Sequence, residues 1–573
     1  MGKIIRINMN SATVTSEDVP QEYVLLGGRG LTSTIVAREV PATCHPLSAQ
    51  NKLVIAPGLL TGTSAPCSGR LSIGCKSPLT NTIKESNVGG TAGAKLARLG
   101  IKALIIEGTA KDGETYILNV TKDRAELVPN GAFTRIGNYA FANHMRQKYG
   151  DKVSVISTGP AGEMKLSVAT IAVTDMDGRP SRHAGRGGTG AVMGSKGLKG
   201  IVIDDAGTSP VQPVDREGFK AGQAKILKAL AEHPVTSQAF PALGTAMLVN
   251  VINTAGAFPT RNFSVGQFEG AEKISGEAVN KNATSRPGGK MGHPCMPGCV
   301  IKCSNVYVDE HGEHITSGLE YETIWANGAN CGIDDLDAIA RIDRLCDDFG
   351  LDTMETGAAI AVAMAAGVKS FGDAQGATQL IREIAEGTPL GRILGSGAEV
   401  TGKVYGVERV PTVKGQAMAA YDPRALKGNG VTYATSPMGA DHTAANVFAP
   451  NLGGIPGLSA EGQAELSKSV QTIIAAHDYT GLCTFVTAVA AADIPTGLDG
   501  IVEMLSALLG ANVTIDSYSE LGKRILAVER EFNAKAGFSA VHDRLPLWMT
   551  REPLPPHHTV FDVSESDLDS VRM

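Results

Sequence analysis

Cys295, Cys299 and Cys303, three cysteines at intervals of four within HPCMPGCVIKCSN (293–305), constrain this chain more than any other feature. Three thiolates this dense in one loop commonly hold a metal, and a tetrahedral site or a cubane cluster needs four ligands. The fourth has to arrive from a distant part of the chain, so the fold must close back on this loop. The nine cysteines are an odd number. The N-terminal MGKIIRINMNSATV reads as a strand and lacks the apolar core of a signal peptide. Both observations argue against a disulfide framework and for a reducing cytoplasm, where clustered cysteines bind metal or do chemistry.

At 573 residues the chain is too long for one core and implies about two to four domains. Up to about residue 205 it reads mostly as strands. KIIRINM, KLVIAPG, RLSIGCKS, ALIIEGTA, TYILNV, VSVISTG, LSVATIAVT and KGIVIDD are β-branched runs bounded by turn residues. Many of the 68 glycines fall in GGRG (27–30), NVGG (87–90) and AGRGGTG (184–190), which suit tight turns or close backbone approach to a ligand. Past the linker TSPVQPVD the pattern becomes helical. Asp215 can N-cap a helix with Phe219, Ile226, Leu227 and Leu230 on one face. Helical patterns follow at 336–349, 354–367, 460–477 and 516–536. Strands first and helices later predict an α+β chain. Its expected units are a β-rich N-terminal domain over 1–208 and mainly helical domains over 209–412 and 413–573. With no run of about 18 apolar residues, no membrane span is expected. The net charge of -6 gives no reason to expect nucleic acid as a partner.

One short repeat stands out. DDFGLD (347–352) and DYTGLC (478–483) share Asp-x-x-Gly-Leu-(Asp/Cys), and each follows a helical stretch. Gly350 and Gly481 are placed to end those helices in a left-handed cap, which holds the next residues on a rigid corner. A carboxylate there can take two N–H bonds side by side. Two such corners suggest a ligand with two similar halves; the alternative is two unrelated glycine-capped helices. The second copy ends in Cys483 where the first has Asp352, so Cys483 is the candidate fourth thiolate. Three clustered ligands and one remote suit a 4Fe–4S cluster. Zinc is the alternative, although zinc sites more often pair two Cys-x2-Cys knuckles. His293 is a loop residue that could also ligate. Cys44, Cys67, Cys75, Cys331 and Cys346 are scattered and read as packing or loop residues.

The chain also carries LLGGRGLTSTI, NKLVIAPGLLTGTSAP, SGRLSIGCKSPLT, NVGGTAGAKLARLGIKALIIEG, AGRGGTGAVMGSKGLKGI, EYETIWANGANCGIDDL, CDDFGLDT, YDPRALKGNGVTYATSP and DYTGLC. Taken in order, these blocks resemble the tungsten-dependent aldehyde:ferredoxin oxidoreductase family over nearly the whole length. The resemblance implies an N-terminal base of two β-sheets on which the cofactor sits, covered by two helical domains. It implies tungsten, or molybdenum, held by the dithiolenes of two pyranopterins whose phosphates are linked through Mg2+. Asp347, Leu351 and Asp352 would hold one pterin, and Asp478, Leu482 and Cys483 the other. Asn87 and the His183 carbonyl match the Mg2+ contacts. Arg70 matches a basic residue between cluster and cofactor, and Arg182 a phosphate contact. Ala184, Gly185, Arg186 and Gly187 would let backbone N–H groups approach phosphate; the alternative is an ordinary tight turn. Cys295, Cys299, Cys303 and Cys483 would ligate the 4Fe–4S cluster.

By the same resemblance Glu322 and His442 are catalytic. A carboxylate near the metal can take a proton from water or the hydrated aldehyde. An imidazole can donate a hydrogen bond to the carbonyl oxygen as charge develops. The bland alternatives are a surface acid and a satisfied core histidine, and Glu320 is the obvious competitor for the acid. The sequence departs from the family in spacing, with Cys-x3-Cys-x3-Cys where Cys-x2-Cys-x3-Cys is typical. Arg341 occupies the position of an acid that binds an intersubunit iron in one member, so that metal is not expected. The implied activity is oxidation of an aldehyde to a carboxylic acid, with electrons passed to ferredoxin or an iron–sulfur partner subunit, in a homodimer or hetero-oligomer. Two other readings compete: a related tungstoenzyme subunit that reduces an aromatic acyl-CoA, and an iron–sulfur scaffold without the organometallic cofactor.

Overall fold

The structure is a computed structural model that describes residues 2–449, 455–490 and 495–572. Its N-terminal part holds two six-stranded sheets. The first runs in the order β2 (Thr13–Asp18), β1 (Lys3–Asn8), β6 (Ile101–Glu107), β3 (Leu53–Pro57), β4 (Leu71–Lys76), β5 (Ile83–Val88). The second runs β8 (Ala125–Pro129), β7 (Tyr116–Val120), β12 (Leu198–Ile203), β9 (Ser154–Thr158), β10 (Ile171–Val173), β11 (Arg182–Ala184). The two orders are the same once each strand of the first half is matched to its counterpart six strands on. The single parallel pair falls in the same place in each, β1 with β6 and β7 with β12, and the other neighbours are antiparallel. Helices recur equivalently. Gly28–Glu39 and Asn138–Tyr149 precede β3 and β9, while Ala92–Arg98 and Thr189–Ser195 precede β6 and β12. The N-terminal part is an internal duplication.

Packing follows the same symmetry. Ile5, Ile7, Leu71, Ile73 and Ile106 of the first sheet meet Leu118, Ile156, Ile171, Ile201 and Ile203 of the second in a shared core. The outer face of the first sheet is covered by Leu31, Ile35 and Val36 of the helix Gly28–Glu39. That of the second is covered by Phe141, Ala142 and Met145 of the helix Asn138–Tyr149. With both faces covered, β3 and most of β6 read as continuous apolar runs (LVIAP and ALII) instead of alternating ones. The edge strands β5 and β11 lie against each other and form one seam between the halves, and β2 and β8 meet at the opposite edge.

The rest of the chain is mainly helical. Asp215 caps the helix Arg216–Glu232 by accepting from the amides of Glu217 and Gly218. That helix packs along Pro495–Leu509. Leu336–Phe349, Thr353–Ala365, Gln463–Thr480 and Ile515–Lys535 match the expected helical stretches to within a few residues. A small sheet, β13 (Lys290–His293), β14 (Ser304–Val308) and β15 (His314–Ser317), carries the cysteine loop between its first two strands. Two expectations need correction. The first 205 residues alternate strands with helices, because GRGLTSTIVARE, AGAKLAR and TGAVMGS are helical despite their glycines. His293 is no loop residue: it ends β13, is 2% exposed, and turns its Nε2 to Asp177 at 3.0 Å.

Candidate functional site

Each half of the duplicated base receives one of the two repeat corners. Gly350 and Gly481 do end their helices in the left-handed region, at φ +73° and +80°. Gly159, just after β9, abuts the first corner: a Cβ there would lie 2.3 Å from the Phe349 carbonyl oxygen. Gly58, just after β3, abuts the second: a Cβ there would lie 2.1 Å from the Gly481 nitrogen. Backbone hydrogen bonds complete both seats. Thr170 N–H donates to Gly350 O and Asp352 N–H to Val168 O, both at 2.9 Å. Leu60 N–H donates to Thr480 O at 2.9 Å and Arg70 N–H to Gly481 O at 3.0 Å.

The first aspartate of each corner is held by equivalent helices. Asp478 accepts from Arg29 Nη1 at 3.2 Å, and Asp347 accepts from the Tyr139 hydroxyl at 3.4 Å. Arg29 and Tyr139 are each the second residue of the helix that precedes β3 or β9. Burial pushes Asp478 up to about 6, against the pull of Arg29. Asp352 caps the helix Thr353–Ala365 through the amides of Met354 and Glu355, at 2.9 and 3.2 Å. Leu351 and Leu482 are buried behind the two corners.

Asn87 on β5 and His183 on β11 stand at equivalent places of the two halves, on the strands that form the seam. The His183 ring is committed: Nδ1 pairs with the Thr170 hydroxyl at 2.7 Å, and Nε2 lies 3.0 Å from Asp347. Its ring is therefore spoken for within the protein. The turn Ala184–Gly185–Arg186–Gly187 leads into the helix Thr189–Ser195, with Gly187 and Gly188 at φ +85° and +73°. The Arg186 side chain turns inward, to Asp352, Glu355 and the carbonyls of Ala417 and Ala440. Around the seam several buried polar atoms find no partner among the described residues: Arg70 Nε, Asn87 Nδ2, and Arg182 Nε and Nη2. Each such group costs about 1–3 kcal/mol unless something satisfies it. Donors of this kind, two of them guanidinium groups, fit an anionic, hydrogen-bonding ligand.

The thiols gather beside the second corner. Cys295, Cys299, Cys303 and Cys483 are all buried and form one cluster. Contact with Cys299 and then burial push Cys295 up, while burial and Glu320 push Cys303 up. Left to themselves Cys295 and Cys303 stay neutral, so a cation is needed to make thiolates of them. Arg70 Nη2 lies 3.5 Å from Cys483 Sγ and links the thiols to the seam. Cys67 is not scattered packing. It lies in the same cluster, and its thiol meets Cys299.

Glu322 and His442 face each other, with Oε1 and Nε2 3.5 Å apart. The Glu322 side chain is 14% exposed, which sets aside the surface-acid alternative. Its Oε2 accepts from the Ala420 amide at 3.0 Å, leaving Oε1 to His442 and whatever enters. Burial raises the Glu322 carboxyl although His442 opposes this. His442 Nδ1 has no hydrogen-bond partner among the described residues, and Tyr421 stands beside the ring at 6.0 Å. Glu320, the competing acid, accepts from the Thr245 hydroxyl at 2.6 Å. Asp441, next to His442, is held well below the usual carboxylate range: Lys84 at 2.9 Å and Arg186 overcome its burial.

Sequence reasoning missed Arg29, Tyr139, Lys84 and Cys67. The duplication that places the first two leaves a faint trace in GGTAGAKLARLGIKALII (89–106) and GGTGAVMGSKGLKGIVI (187–203), which share glycines and the strand that follows.

The structure thus sets a base of two equivalent halves beside a pocket of thiols. Comparison with known proteins gives the class. A family model described as aldehyde ferredoxin oxidoreductase, N-terminal domain, matches residues 4–205, and one for domains 2 and 3 of the same enzyme matches 222–570. The tungsten-containing aldehyde ferredoxin oxidoreductase of Pyrococcus furiosus is 36% identical over 97% of this chain and 92% of its own. That of Thermococcus kodakarensis is 35% identical over the same shares. The WOR-like subunit of the aliphatic sulfonate oxidoreductase of Pyrococcus furiosus is 26% identical over 92% of this chain and 85% of its own. Among solved structures, the active site complex BamBC of benzoyl coenzyme A reductase superposes with a TM-score of 0.80 at 18% identity, covering 100% of this chain and 93% of that one. The chain belongs to the aldehyde ferredoxin oxidoreductase family and is an oxidoreductase.

Proposed function

We propose that this enzyme oxidises an aldehyde to the carboxylic acid at a tungsten or molybdenum bis-pyranopterin seated across the seam. The observation that carries this is the duplicated base: each half presents one Asp-x-x-Gly-Leu corner on the same scaffold, as a ligand of two like halves requires. Asp347, Leu351 and Asp352 would hold one pterin; Asp478, Leu482 and Cys483 the other. Asn87 and the His183 carbonyl would bind Mg2+ between the phosphates. Arg182 and the backbone of Ala184–Gly187 would meet those phosphates, and Arg70 would bridge to the cluster. Cys295, Cys299, Cys303 and Cys483 would ligate a 4Fe–4S cluster, which supplies one-electron transfer. The metal centre, when bound, supplies a Lewis acid and a two-electron acceptor.

The net change, aldehyde plus water to acid with loss of two protons and two electrons, assigns work to two side chains. Glu322 Oε1 takes the proton from water or the hydrated aldehyde. His442 Nε2, which faces Glu322 Oε1 at 3.5 Å, donates to the carbonyl oxygen once substrate enters beside the pair. Tyr321, Tyr421 and Tyr433 are buried around them and exclude bulk water. Electrons leave where the thiol loop reaches the surface, at exposed Gly298, Val300 and Lys302, toward ferredoxin or an iron–sulfur partner. Anaerobic reduction of benzyl viologen tests the reading. Aldehydes should drive it; an enzyme loaded with metal and iron that reduces no dye with any aldehyde would contradict it.

A further inference from the structure

Five thiols, not four, line the cluster pocket. Cys67 is fully buried there, at the end of the loop that begins at Gly58. Its amide donates to Gly298 O at 2.9 Å, and its carbonyl accepts from the Cys483 amide at 2.8 Å. It is therefore stitched between the cysteine loop and the remote ligand. Its φ of +55° is a left-handed conformation that residues with a side chain seldom adopt. That backbone delivers its sulfur to Cys299. The Cys67 sulfur accepts the Val300 amide at 3.4 Å, much as the Cys299 sulfur accepts the Lys302 amide at 3.3 Å. Amide donors to sulfur are part of how proteins stabilise and tune cluster thiolates. Cys299 is 9% exposed between exposed Gly298 and Val300, whereas Cys67 is 0% exposed. The Cys299 corner of the pocket thus has a second, more deeply buried thiol beside it.

We propose that Cys67 is a reserve ligand of the cluster, able to take over the corner held by Cys299. The exchange is a ligand substitution without electron transfer. The iron–sulfur bond to Cys299 breaks, that to Cys67 forms, and the proton of the Cys67 thiol passes to Cys299. The inference rests on the cluster reading given above, and it gives the Cys299 corner a means of surviving loss of its first ligand.

Iron and sulfide per chain, with EPR of the reduced state, test it on full-length protein purified anaerobically. Wild-type protein without iron would refute the cluster reading itself. With iron in the wild type, Cys299→Ser should keep wild-type iron with an altered EPR signal. Cys303→Ser and the double variant Cys67→Ser/Cys299→Ser should lose it. A Cys299→Ser protein that melts like the wild type yet lacks iron would overturn the proposal. Cys67→Ser provides an arm that does not depend on folding of the Cys299 variant. Its iron should be stripped by EDTA and ferricyanide severalfold faster than wild-type iron, and an equal rate would overturn the proposal.

Discussion

Glu322 can accept a proton only when ionised, and burial makes its ionisation harder. Activity should therefore fall on acidification at a pH above the ordinary carboxylate range. Glu322→Gln should lower kcat by about 10²–10⁴-fold with metal content unchanged and remove that acid limb; kcat/KM profiles against pH read both. His314 gives a separate pH dependence of stability. Burial, then Arg179 and Arg344, depress its pKa to about 4. The folded protein keeps it neutral while the unfolded chain protonates it near the free imidazole value, so stability is lost as pH falls between the two. Denaturant midpoints at pH 7 and pH 5 should differ less in His314→Gln than in the wild type. At this scale the sequence was only partly legible. Local spacing offers Glu320 and Glu322 equally, and only the turn of the helix Tyr321–Asn327 sends one to Thr245 and the other to His442. Cys67 could not be read at all, since its place depends on how three distant loops meet.

Element by element, the corners were the most readable part. A glycine that must be left-handed at a helix end is written in the local sequence, and Gly350 and Gly481 sit as expected. What they dock against was not written there. Gly58 and Gly159 matter because another backbone passes within a Cβ's reach, a fact of tertiary packing. Gly58→Ala should strip the second corner of its seat, lowering both melting temperature and retained metal. Gly406→Ala is the control. Unlike Gly58 it has a left-handed φ, +67°, and open space around it, so its substitution should cost only the backbone strain, about 1–2 kcal/mol, and leave metal content unchanged. Equal damage from the two would show that close packing at Gly58 is not what seats the corner. The buried pairing of Arg29 with Glu529, through two bonds of 2.8 Å, fixes the helix Gly28–Glu39 to Ile515–Lys535. Arg29→Ala leaves Glu529 and Asp478 uncompensated and should destabilise by about 3–5 kcal/mol, measured by chemical denaturation.

The whole molecule is a duplicated base to which one asymmetric element has been added. Asp352 and Cys483 end otherwise equivalent corners, and that one difference ties the second half to the thiol pocket. The α+β class could be read from the order of strands and helices. The duplication could not, because its halves share glycines and burial more than residue identities, and its helices are short and glycine-rich. A single chain should hold both the bis-pyranopterin metal and the iron–sulfur cluster. Elemental analysis of anaerobically purified protein measures this directly. It should find about one tungsten or molybdenum and about four iron atoms per chain, as one bis-pyranopterin metal and one cubane cluster require. Zinc without iron, or iron without tungsten or molybdenum in cells supplied with both, would contradict it.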